Sequence, residues 1–163
     1  EDETVLQKWC EGNTGVPIID AAMRYFNLTG TMHNRLRMIV SSYLTKNLLV
    51  NWKKGEQYFA SKLLDYEASS NVGSWQWAAS TGADSVPYFR IFNPYLQSAK
   101  FDKDAVFIKS VITELKDVNT KLIHSENGVQ SNIFLNYPSQ IVSIDFSRKR
   151  AIEEFKRANN EKA

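Results

Sequence analysis

The chain has 163 residues, 43% of them hydrophobic and 12% aromatic, and a formal net charge of +2, enough apolar material for one packed domain. No run approaches the roughly 20 apolar residues of a membrane span, and Cys10 is the only cysteine, which excludes an internal disulfide and a cysteine-built metal cluster. With only His33 and His124, no zinc site is expected, and the acidic start Glu1-Asp2-Glu3 is unlike a secretory signal, so a cytoplasmic setting is expected.

Helical signals dominate in chain order. Pro17 opens a helix through PIIDAAMRYFNL, because its missing N–H falls where no intrahelical partner exists, and Gly30 is placed to end it. A second helix is predicted from about Met32 to about Asn51, with Met32, Leu36, Ile39, Tyr43 and Leu44 on a buried stripe and Gly55 as the breaker that follows. EQYFASKLLD reads as a short third helix, and Ser69-Ser70-Asn71 offers caps for a fourth through GSWQWAAS, ending near Gly82. Pro87 and Pro94 punctuate PYFRIFNPYLQ, predicted to be irregular with short helical turns.

FDKDAVFIKSVITEL is amphipathic, with Val106, Phe107, Val111, Ile112 and Leu115 recurring near a helical period. Asp117 to Ser143 is loop-like, with turn signals at Asn127-Gly128 and Tyr137-Pro138, and a last helix is predicted from about Phe146 to Ala158. The pattern is all-α. GxGxxG, the P-loop pattern, HExxH and CxxC are all absent, so any nucleotide cofactor would have to be held by helices.

Charge is unevenly placed. Between Ala21 and Leu64, Arg24, Arg35, Arg37, Lys46, Lys53, Lys54 and Lys62 face Glu56 as the single acid. Such a segment reads either as a phosphate-facing surface or as solvated helix faces balanced by acids from elsewhere. Within TGTMHNRLRM, Asn34, Arg37, Met38 and Ser41 are three or four apart and share one helix face, whereas Arg35 lies about 100° round the axis from Asn34. A buried Arg37 would need an acid, with Asp65 or Glu67 the nearest candidates by sequence; an exposed Arg37 would need none. Asn71 and Trp75 share a face, while Trp75 and Trp77 are about 200° apart, so the two tryptophans serve two environments: core on one side, and a groove, a partner or solvent on the other.

TGTMHNRLRM, NWKKGEQYF and NVGSWQWAASTGADSVPYFRIFNP, in that order and spacing, resemble the FAD-binding domain of the DNA photolyase and cryptochrome family, most closely the class I cyclobutane pyrimidine dimer photolyases of bacteria. The resemblance covers about Trp9 to Ile108, with a weaker echo in NYPSQIV. Photolyases for (6-4) photoproducts are less similar, because they carry histidines at the positions of Asn34 and near Met38. The resemblance implies a multi-helical domain that grips bent FAD, and a reaction in which the excited reduced flavin lends one electron to a flipped-out dimer, splits its cyclobutane ring and recovers the electron. A dimer cannot approach the flavin while stacked in the duplex, and a damaged pair is easier to extrude.

Residue by residue, the resemblance implies that Asp65, Tyr66 and Glu67 lie against the flavin with Arg37 paired to Asp65, that Asn34 borders the cofactor, and that Asn71 faces flavin N5. Trp75 and Trp52 match the inner and middle members of the electron-transfer chain. Trp77 matches the residue that stacks on the extruded dimer, Asn34 and Met38 match dimer contacts, and Arg35 matches a contact to the DNA backbone. Gln97 and Arg90 border the DNA in this reading, Arg90 serving equally well as an internal ion-pair partner, and His33 reads as a structural histidine.

Two positions depart from the pattern: Thr31 stands where these enzymes often have tryptophan, and Glu67 replaces a more usual aspartate. The resemblance makes residues 1–163 the C-terminal part of the FAD domain, without the antenna domain and the first part of the FAD domain, and leaves the antenna chromophore unspecified. The expected partners are dimer-containing DNA and the remainder of a photolyase chain, with self-association through the face those parts would cover. The isolated piece is expected to be inactive. A cryptochrome-like blue-light signalling flavoprotein is the alternative.

Overall fold

In the computed structural model, which describes residues 2–63, 92–130, 132 and 135–162, helices enclose one apolar core. No strand occurs among the described residues, so the expected all-α class holds. The first helix, α1 (Asp2–Glu11), was not legible in the sequence; its anchor is Trp9, fully buried, whose indole N–H donates to the Val40 carbonyl at 3.1 Å. That bond satisfies the one polar atom of a large apolar group.

Helix α2 (Pro17–Thr29) starts and stops as its sequence dictates. Pro17 occupies the first turn, and Gly30, at φ 74°, turns left-handed so that its N–H closes on the Phe26 carbonyl. Phe26 then stacks on Phe59 with ring centroids 4.6 Å apart, and Phe59 stacks on Trp9 at 6.1 Å. This aromatic group joins α1 and α2 to α4 (Trp52–Lys62).

The predicted second helix is divided. Helix α3 (Asn34–Ser42) passes into a π-turn, Tyr43–Asn47, in which Leu48 N–H reaches back to the Tyr43 carbonyl. All five π-turn residues are buried, Lys46 included, at 2% exposure. Asn47 donates to Ser147 Oγ at 2.9 Å and its carbonyl accepts from Arg150, which ties the turn to the last helix. Leu49 then takes φ 54° and the Asn51 side chain caps α4 by accepting from Lys53 N–H. Gly55 therefore breaks nothing: it is a buried residue inside α4. The predicted stripe survives the division, since Met32, Leu36, Ile39, Tyr43 and Leu44 are all buried. The predicted fourth helix, 69–82, lies outside the described residues.

PYLQ, expected to be irregular, belongs to a regular helix, α5 (Pro94–Phe101). Pro94 sits in its first turn and Asn93 Oδ1 accepts from the N–H groups of Tyr95 and Leu96. The predicted amphipathic helix after it is shorter than its pattern, running as α6 (Val106–Val111) and then a 3₁₀ turn, Thr113–Leu115. Asp102 starts it by accepting from the N–H groups of Phe107 and Ile108. Val106 falls off the stripe and is 71% exposed, while Ile108, Ile112 and Leu115 carry the core contacts.

The long loop contains one short helix, α7 (Thr120–Ile123), and Asn127 takes φ 61° at the predicted Asn-Gly turn. The chain ends in α8 (Ile144–Lys162), longer at both ends than predicted. Before α8, the NYPSQIV segment folds back on the start of α2. Tyr137 Oη donates to Asp20 at 2.5 Å, Ile141 N–H donates to the Thr14 carbonyl, and Gln130 Nε2 donates to the carbonyls of Gly15 and Pro138. No helix among the described residues is long and apolar enough to cross a membrane.

Candidate functional site

The first two turns of α3 pack beside α5, and three of the candidate residues, Arg35, Met38 and Gln97, lie there. His33 is the N-cap of α3, its Nδ1 accepting from Arg35 N–H at 3.0 Å. Arg35 is exposed, and its Nη2 donates to Gln97 Oε1 at 3.3 Å. Arg35, Met38, Ile39, Phe92 and Gln97 line a shallow pocket of about 230 Å³. The pocket has an apolar floor with a guanidinium and an amide at its rim, which suits a flat, partly polar ligand with negative charge nearby.

The helical wheel divides the candidates more finely than spacing indicated. Met38 and Ile39, three and four residues beyond Arg35, turn with it to the pocket. Arg37 folds the other way, half-buried, with Nε donating to the Met32 carbonyl at 3.1 Å. Among the described residues no carboxylate lies within ion-pair distance of it. Asn34 is exposed on the first turn. Trp52 opens α4, half-buried against the core with Lys53 Nζ 6.0 Å from its ring centre, and does not line the pocket. Asp65, Tyr66, Glu67, Asn71, Trp75, Trp77 and Arg90 lie outside the described residues.

Sequence reasoning missed Phe92 as a lining residue and assigned Ile39 to the core alone, although it is buried and also reaches the pocket. It missed Phe101, whose ring meets His33 edge-on at 5.1 Å. The available signal was the four-residue spacing of Gln97 and Phe101, which puts both on one face of α5.

The basic run does not form one face. Arg24 is held by Gly12, Asn13 and Glu114, and Lys54 meets Glu3 at 3.5 Å, so the reading of charges balanced by acids from elsewhere holds for these two; Lys46 is buried. Arg35 is the member of the run at the pocket. Neither Cys10 nor His124 lines the pocket. Burial pushes the Cys10 thiol up to about 11, which makes it a poor nucleophile. His124 sits between Ser98 Oγ at 2.8 Å and the Lys103 carbonyl at 3.1 Å, a satisfied structural position.

This geometry defines a helical binding domain whose pocket lies between the start of one helix and the flank of another. Residues 1–157 match the family described as the FAD binding domain of DNA photolyase. The chain belongs to that family, whose domain binds FAD. It is 54% identical over 152 residues to a deoxyribodipyrimidine photo-lyase of Buchnera aphidicola from Acyrthosiphon pisum, covering 92% of this chain and 32% of that protein. Against the enzyme of the same name from Escherichia coli K12 it is 48% identical over 159 residues, 96% of this chain and 34% of that one. The chain thus spans about a third of the length of these relatives.

Among solved structures, a bacterial class III photolyase from Agrobacterium tumefaciens superimposes with a TM-score of 0.90 at 40% identity, covering 98% of this chain and 35% of that one. A cryptochrome from Synechocystis superimposes with a TM-score of 0.85 at 35% identity, covering 94% and 33%.

Proposed function

We propose that this chain forms the flavin-facing and lesion-facing part of a light-driven DNA repair lyase that splits cyclobutane pyrimidine dimers. The observation that carries the reading is the pocket between α3 and α5, where Arg35 and Gln97 rim an apolar floor of Met38, Ile39 and Phe92. An extruded dimer is compact, apolar on its outer faces, polar at its edges and tethered by phosphates, and such a pocket offers partners for those features together. Arg35 would take a backbone phosphate, adding affinity without sequence preference, while Met38 and Asn34 would meet the lesion. Trp77 would stack on the dimer from the DNA side, and Gln97, with Arg90, would border the strand.

The described residues fit a flavin at the inner side of α3. Arg37 is half-buried, and its Nε is engaged by the Met32 main-chain carbonyl. Such a group suits the carboxylate of Asp65 beside the electronegative edge of a flavin, with Tyr66, Glu67 and Asn34 completing the contact and Asn71 tuning protonation at N5. When bound, FAD supplies the light-driven one-electron chemistry. Trp75 and Trp52 would relay an electron inward to keep the site reduced. The remaining two thirds of a photolyase-length chain would pack on this piece and complete the cofactor's enclosure; the isolated piece would be inactive and prone to self-association. DNA as substrate accords with an intracellular setting.

Illumination of the FAD-loaded full-length protein with dimer-containing DNA tests the reading. Loss of dimers under blue light and none in the dark is the expected outcome; bound FAD with intact dimers would defeat it. The likeness to the Synechocystis cryptochrome supports a signalling flavoprotein as the second reading. That reading predicts a light-dependent flavin response with no dimer splitting.

A further inference from the structure

His33 stands next to the candidate contacts yet is given no chemistry by the repair reading, and its surroundings point to a role. The first amides of any helix lack intrahelical partners, and an N-cap side chain usually supplies the acceptor from a serine, threonine, aspartate or asparagine. Here an imidazole does it, with Nδ1 accepting from Arg35 N–H at 3.0 Å. The ring proton must then sit on Nε2. A short cap would have no further contact; the imidazole carries an aromatic body, and Phe101 meets it edge-on at 5.1 Å and 61°.

Phe101 lies one helical turn beyond Gln97, on the same face of α5. Gln97 accepts from the Arg35 guanidinium at 3.3 Å. Arg35 is therefore held at both ends, its backbone N–H by His33 and its side chain by Gln97, and both holders are fixed by α5. This matters because Arg35 is exposed. An arginine that must meet a phosphate gains affinity when its geometry is set before binding.

We propose that His33, clamped by Phe101, is a positioning residue that presents Arg35, and with it the first turn of α3, to DNA. The proposal rests on the repair reading above, and its test separates the two. In the full-length FAD-loaded protein, His33→Ala removes the cap and His33→Asn replaces it with a shorter group that still accepts from the same amide.

His33→Ala is expected to weaken binding of dimer-containing duplex roughly three- to tenfold, the range a lost cap supports. The flavin absorption spectrum and the repair rate at saturating DNA are expected to stay as in wild type, and amide exchange at residues 34–38 to accelerate. His33→Asn, which caps the same amide without meeting Phe101, is expected to restore amide protection but only part of the affinity. Wild-type affinity in His33→Ala overturns the proposal, as does unchanged amide exchange. Full wild-type affinity in His33→Asn overturns it as well, since the clamp by Phe101 would then add nothing. A wild-type protein that fails to bind dimer-containing DNA overturns the repair reading instead, and amide exchange tells that failure apart from failure of the cap.

Discussion

Tyr137 donates its hydroxyl to Asp20 at 2.5 Å across 117 positions of sequence. Asp20 is fully buried and accepts also from Thr14 N–H and Oγ1, both at 2.7 Å, and from Gly15 N–H at 3.0 Å. The start of α2 is thereby clasped to the segment that leads into α8. Tyr95 extends the clasp to α5 by donating to Gln140 Oε1 at 2.8 Å. The pocket's α5 wall thus leans on a polar network that no part of the pocket touches.

Tyr137→Phe removes one donor from a buried carboxylate. Hydrogen bonds to charged groups are worth about 1.5–3 kcal/mol, so unfolding free energy at pH 7 is expected to fall by about that amount. Urea denaturation at pH 7 and pH 5 checks it, the loss being smaller at pH 5, where Asp20 takes up its proton.

Burial pushes Asp20 up to about 6 against the pull of its donors, Tyr137 first among them. The folded value lies above the unfolded one of about 3.9, so the folded state holds the proton more tightly. Its contribution to stability is fully present below about pH 4 and is lost as pH rises through about 6, a span worth on the order of 3 kcal/mol. Asp20→Asn is expected to lack this slope, and stability measured from pH 4 to 8 in both proteins checks it; parallel curves would refute it.

Gly15 adopts φ +85°, and a Cβ there would meet Gln140 Cα and N and the Ser139 carbonyl at 2.5 Å. These are backbone atoms that cannot move aside singly. Gly15→Ala is expected to cost roughly 2–4 kcal/mol by forcing the clasp open. Thermal unfolding reads the loss, and faster amide exchange at Ile141 locates it.

Arg35→Ala in the full-length protein is expected to weaken binding to damaged and undamaged duplex by similar factors. The slope of log affinity against log salt should fall by about 1, as for one lost phosphate contact. Titrations at several salt concentrations decide it; a loss confined to damaged DNA would place Arg35 on the lesion instead.

Features under local control were legible in the amino-acid order. Pro17 and Gly30 bounded α2, the spacing of Met32, Leu36, Ile39, Tyr43 and Leu44 named the buried face, and the ordered motifs identified the family, because each depends on residues near one another in the chain. Long-range packing settled the rest. Whether the helix ran on to about Asn51 or gave way earlier to a π-turn depended on Ser147 and Arg150, about 100 residues later, pinning Asn47. Which side of α3 became the pocket depended on Gln97, which meets Arg35 from 62 positions away and gave no local sign of doing so. Helical periodicity fixes the angles between side chains on one helix, and only packing against another helix decides which angle faces a ligand.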